Sequence, residues 1–138
     1  MVLDVLAESR WPVRREEDIV TVRKRARTIA EARGFDAFAT AALTTACSEL
    51  ARNVWVHAGG GEVCMQELTD GYRSGIRIAV SDSGPGIDDV ARVLAGGYST
   101  AGSLGLGISG TMRLVDFFVL ESHVGRGPIV TITKWKRL

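Results

Sequence analysis

Apolar residues recur at different spacings along this chain, and the spacing predicts where helices and strands lie. Residues 1–13 alternate briefly and end in Arg10-Trp11-Pro12-Val13. That predicts a strand, and because Pro12 has no N–H to give a ladder, the strand is expected to be short or at a sheet edge. Glu16, Glu17 and Asp18 then place negative charge where a helix would start, which suits its dipole. Ile19, Val22, Ala26, Ile29 and Ala30 follow at three- and four-residue spacing, with Arg23, Lys24, Arg27 and Glu31 on the other side. This predicts an amphipathic helix stopped by Gly34. Asp36 is placed to cap a second helix, AFATAALTTACSELARNVWVHA, which ends at Gly59-Gly60-Gly61. It is apolar nearly all round and is expected to be buried.

Beyond the glycines the period becomes two. Glu62–Thr69 and Ile76–Ser81 alternate around the turn-forming Asp70-Gly71 and Arg73-Ser74-Gly75, which predicts a hairpin. The chain then enters Asp82-Ser83-Gly84-Pro85-Gly86-Ile87, a glycine-rich turn straight after a strand. A short helix over 88–95, a Gly/Ser/Thr-rich loop over 96–107 and a helix over 108–115 come next. Strands at 117–122 and 129–135 close the pattern. The order β-α-α-β-β-loop-α-β-β predicts an α+β fold, a two-layer sandwich with about three helices on one face of a mixed sheet.

Composition narrows this picture only slightly. The 138 residues, 46% hydrophobic and 24% charged, suit a single domain over 1–138 with one packed core. A net charge of +1 exerts no global pull toward nucleic acid or an anionic membrane. Cys47 and Cys64 form no C-x-x-C pair, so two buried thiols are expected rather than a metal knuckle. No apolar run reaches the roughly 20 residues of a membrane span. The first residues also lack a signal-peptide layout, so a cytoplasmic protein is expected.

Three stretches can carry chemistry. On the second helix, Glu49, Asn53 and His57 stand one turn apart on one stripe, and polar groups on a buried helix need partners. A carboxylate beside an amide oxygen can hold Mg²⁺ and orient a nucleophile, although a structural hydrogen bond produces the same spacing. The second stretch is Asp82-x-Gly84-x-Gly86. A strand-end aspartate can accept from an exocyclic amine while the glycines let a flat ring approach the backbone; an ordinary strand-to-turn signal reads the same. The third, Gly102-Ser103-Leu104-Gly105-Leu106-Gly107, opens a helix, where freed N–H groups bind phosphate.

That last stretch also spells Gly105-x-Gly107-x-x-Gly110, a dinucleotide-type match. Context rejects it. Such a motif follows a hydrophobic strand, whereas 96–103 is polar and glycine-rich. Only 17 residues remain after Glu121, too few to complete a nucleotide-binding half. No P-loop occurs anywhere.

Taken together and in order, the three stretches resemble the N, G1 and G2 boxes of the GHKL superfamily, with its Bergerat ATP-binding fold. The resemblance spans roughly residues 36–135. Within it, Ser48-Glu49-Leu50-Ala51-Arg52-Asn53, the run Gly97–Gly107 and Thr133-Lys134-Trp135-Lys136 look like the RsbT-type switch kinases of the anti-sigma-factor serine/threonine kinase group.

The resemblance implies ATP and Mg²⁺ as cofactors. It implies Glu49 as general base, Asn53 as metal ligand, Asp82 on the adenine amine with Gly84 and Gly86 giving it room, and Gly102, Gly105 and Gly107 around the phosphates. It further implies a STAS-domain protein as substrate in stressosome or partner-switching signalling, with a downstream effector as second partner. An anti-sigma factor, or a nucleotide-gated binding module with little turnover, is the alternative. The sequence departs from the superfamily at Pro128, where Thr usually follows the glycine opening the last strand. Thr131, three residues on, is expected to face the other way. An unpaired edge on the first strand would allow pairing with a second copy.

Overall fold

A computed structural model describes residues 3–82, 109–123 and 126–137. Five strands and two long helices order as β1 (Asp4–Val13), α1 (Glu16–Ala32), α2 (Ala37–Ala58), β2 (Gly61–Thr69), β3 (Ser74–Asp82), β4 (Phe117–His123) and β5 (Arg126–Trp135). The five strands form one sheet in the order β1-β2-β3-β5-β4.

The apolar spacing in α1 translates directly into burial. Ile19, Val22, Ala26, Ile29 and Ala30 are its buried residues. Its first turn is closed by the Asp18 carboxylate, which accepts the Arg14 and Arg15 N–H groups at 2.8 and 3.1 Å. Those bonds hold the Asp18 carboxyl below the usual carboxylate range. Gly34, at φ 80°, turns the chain into the left-handed region and carries it to α2. There Asp36 caps the helix as its sequence position predicts, accepting the Ala39 N–H at 2.7 Å.

Alternation in the strands sets the inner face of the sheet. Val63 lies opposite Val80 and Met65 opposite Ile78; Ile78 and Val80 then face Ile132 and Val130 on β5. Leu120 on β4 faces Val130. All of these are buried and form one core with the inner residues of α1 and α2. Each such side chain contributes ~1.5–3 kcal/mol on leaving water. Both long helices cover this one face.

Three points differ from the sequence expectation. The sheet is antiparallel in every described pairing rather than mixed. The reason is that β5 folds back between β3 and β4, so the strand that follows the long 83–116 connection sits at the far edge instead of beside β3. β1 does lie at an edge, but at ten residues it is not short. An edge position tolerates Pro12, and a register shift between Val5 and Ala7 bulges the strand near its start. Finally, the helix expected over 108–115 is helical at 109–112 and then tightens. Arg113 N–H donates to Gly110 O and Leu114 N–H to Thr111 O, a three-residue spacing that ends the helix. Lys134, buried on β5, donates to the Leu114 carbonyl at 2.9 Å and closes that end. The short helix expected at 88–95 and the loop at 96–107 lie outside the described residues.

Candidate nucleotide site

Glu49 and Asn53 sit one turn apart in the C-terminal half of α2, a helix with buried residues on most of its circumference. Glu49 is half-buried, at the border of the exposed face. Among the described residues its carboxylate makes no hydrogen bond or ion pair. Asn53 is buried, and its Nδ2 has no hydrogen-bond partner there. An unspent amide in such a place costs about 1–3 kcal/mol. A stable core has no use for it, and a ligand does.

The end of α2 is fastened by three consecutive glycines. Gly59, at φ 76°, is the left-handed cap, and its N–H donates to Trp55 O at 3.1 Å. Gly60, at φ 136°, packs its α-carbon on the Val13 carbonyl oxygen at the end of β1. Gly61 packs on the Ser81 carbonyl oxygen and against Val54. It is also the register partner of Asp82. A Cβ at either of the last two positions would collide with backbone. The clamp therefore brings the Asn53 end of α2 to the same end of the sheet as Asp82, the last residue of β3. From the sequence alone these glycines signal only a helix stop. Their number was the missed signal, since one glycine suffices to cap a helix.

Three of the expected site residues, Glu49, Asn53 and Asp82, thus come to one end of the fold. Gly84, Gly86, Gly102, Gly105 and Gly107 lie outside the described residues. Thr131 points away from the helices, because its neighbours Val130 and Ile132 point toward them. An open recess of about 310 Å³ is lined by Val13, Arg14, Ala58, Gly59, Gly60 and Gly61. It belongs to the clamp and contains none of the three polar residues. Cys47 takes no part in chemistry here, since complete burial pushes its thiol up to about 12. Burial also raises Cys64, with help from nearby Glu8.

Residues 13–134 match the histidine kinase-like ATPase domain. The chain belongs to that family. Its Bergerat-type character, expected from the three boxes, is thereby confirmed at the level of the family. The chain is also 42% identical, over 122 residues, to the serine/threonine-protein kinase RsbT of Bacillus subtilis, a span of 88% of this chain and 92% of that one. Likeness of that extent makes this histidine kinase-like ATPase family member an enzyme of the protein-serine/threonine kinase class, and membership implies ATP binding. Among the described residues no helix is long and apolar enough to cross a membrane.

Proposed function

We propose that this single-domain kinase transfers the γ-phosphoryl group of ATP to a serine or threonine of a STAS-domain regulatory protein. On this reading Glu49 is the general base. It takes the hydroxyl proton as the substrate oxygen attacks the γ-phosphorus; the bond to the β–γ bridging oxygen breaks and ADP leaves. Asp82 accepts from the adenine amine, with Gly84 and Gly86 beside the ring. Gly102, Gly105 and Gly107 offer N–H groups to the phosphates.

Asn53 is the proposed ligand for Mg²⁺. A half-turn of its amide exchanges nitrogen for oxygen at the same position, and one neutral oxygen suits an ion that keeps several waters. When bound, the ion neutralises phosphate charge. The observation that carries the reading is the unspent, buried amide of Asn53 one turn from an unpaired Glu49, on a helix end clamped beside Asp82. The likeness to RsbT supports a role in partner switching, in which the kinase leaves a stressosome-type substrate for a downstream effector in the cytoplasm. Self-pairing along the outer edge of β1 belongs to the same proposal, confined to the stretch between the bulge at residues 5–7 and Pro12.

The test is transfer of label from γ-labelled ATP and Mg²⁺ to STAS-domain proteins encoded in the same genome, with Glu49→Ala and Asp82→Asn alongside. Label on a partner Ser or Thr, lost in both variants, is the expected result. ATP binding without label would favour a nucleotide-gated binding module instead. Failure to bind ATP would overturn the assigned site.

A further inference from the structure

We infer that the outward face of α2 is where the protein substrate docks, and that Arg52 there binds an acidic side chain neighbouring the hydroxyl that is phosphorylated. This rests on the kinase reading above and adds to it the chemistry by which the substrate is chosen.

Glu49 and Arg52 are the carboxylate and the guanidinium of α2, three residues apart in a helix otherwise built of small, apolar and hydroxyl side chains apart from Asn53 and His57. That spacing permits an ion pair, and none forms. Arg52 is exposed, and among the described residues it makes no hydrogen bond, ion pair or ring contact. Several other arginines of the fold are spent, although exposed Arg23 and Arg27 on α1 are, like Arg52, without a partner among the described residues. Arg10, Arg33, Arg73 and Arg137 each hold a carboxylate. Arg25 lies over the Trp11 ring.

Helix geometry gives this free cation a direction. At about 100° per residue, Asn53 stands about 40° to one side of Glu49 and Arg52 about 60° to the other. The Asn53 side is buried; the Arg52 side carries exposed Thr45 and Val56, the latter 57% exposed. Glu49 is therefore the seam between a buried flank, which receives nucleotide, and an open flank. A macromolecule bringing a hydroxyl to Glu49 has to approach over the open flank and pass Arg52. The planar guanidinium fork matches a carboxylate with two parallel hydrogen bonds. Beside it Val56 offers an apolar contact. The substrate segment this strip fits is a Ser or Thr with an acidic residue close by and an apolar one about a helical turn further on.

The experiment is steady-state phosphorylation of the STAS-domain protein that wild type labels, with calorimetric binding of the same protein measured in parallel. Arg52→Ala is expected to raise KM for the protein about five- to tenfold, leaving kcat and KM for ATP within about twofold. Arg52→Lys should recover part of the loss. Arg52→Glu is expected to lose about 30-fold, and changing the partner's acidic residue to Lys should restore it. Added salt should narrow the gap between wild type and Arg52→Ala. A fall in kcat with unchanged KM, a matching change in KM for ATP, or no rescue by charge exchange would overturn the inference. If wild type binds the STAS protein without labelling it, the kinase reading fails. The binding constants of the Arg52 variants then decide the docking site alone. No binding by wild type overturns both.

Discussion

The two ends of the sheet treat polar groups in opposite ways. At the end formed by the β2–β3 turn, the buried and half-buried carboxylates are paired. Asp70 is buried and accepts the Tyr72 N–H at 2.9 Å, the Arg73 N–H at 2.7 Å and Arg73 Nε at 3.1 Å. The Arg73 guanidinium stacks 4.4 Å from the centre of the Trp135 ring, and that ring lies on the bare α-carbon of Gly75. Asp116 accepts the Trp135 N–H, and Glu67 holds Arg33 at 2.8 Å. At the other end Glu49 and the Asn53 amide remain unspent. One end stabilises the fold; the other stores hydrogen-bonding capacity that folding alone does not use.

Substitutions can sharpen that contrast. The largest effect is expected at Glu49→Gln. Phosphoryl transfer should fall by about 10²–10⁴-fold while nucleotide binding and melting temperature stay near wild type. Gly60→Ala comes next. It forces a side chain onto the Val13 carbonyl in a backbone conformation that favours glycine, and is expected to cost about 1–3 kcal/mol in denaturant unfolding and to weaken ATP binding as well. Equal loss of stability with normal ATP affinity would separate the clamp from the site.

Asp70→Ala should lower the urea midpoint with specific activity unchanged, since it strips the far end alone. Its pH behaviour follows from the sign of its shift. The Arg73 and Tyr72 backbone N–H groups, with the Arg73 guanidinium, hold the Asp70 carboxyl below its ordinary value. Its contribution is therefore fully present above about pH 4 and is lost as pH falls through the lowered folded value. Urea midpoints measured from pH 5 downward should fall less steeply in Asp70→Asn than in wild type. On stability the effect of Asn53→Leu is smaller than at Gly60 or Asp70: it should leave stability unchanged or raise it by about 1 kcal/mol, while transfer is lost. A large loss of stability there would make the amide structural and erase the contrast between the two ends.

Much of this was legible in the sequence because it is local. The five apolar residues of α1, the Asp36 cap, the β2–β3 hairpin and the pairing of Glu49 with Asn53 are all set by spacings within a few residues. What was not legible depends on partners far apart in the chain. Nothing near β5 says that it pairs with β3, about 50 residues earlier in register. Arg33 finds Glu67 across 34 residues. The roles of Gly60 and Gly61 are visible only once the carbonyls of Val13 and Ser81 are in place beside them.

The position of β5 also bears on how the protein is made. The strand that joins β3 to β4 is the last of the five in sequence, and β1 waits for β2 across two helices. A nascent chain can assemble α1, α2 and the β1-β2-β3 ladder while it is still being translated. It then presents β3 as a raw inner edge, carrying Ile76, Ile78 and Val80, until β5 is free of the ribosome and pairs with it. A ribosome stalled short of that point would hold a half-sheet with an open apolar ladder, a ready target for chaperones and proteases. Only chains translated through β5 escape them.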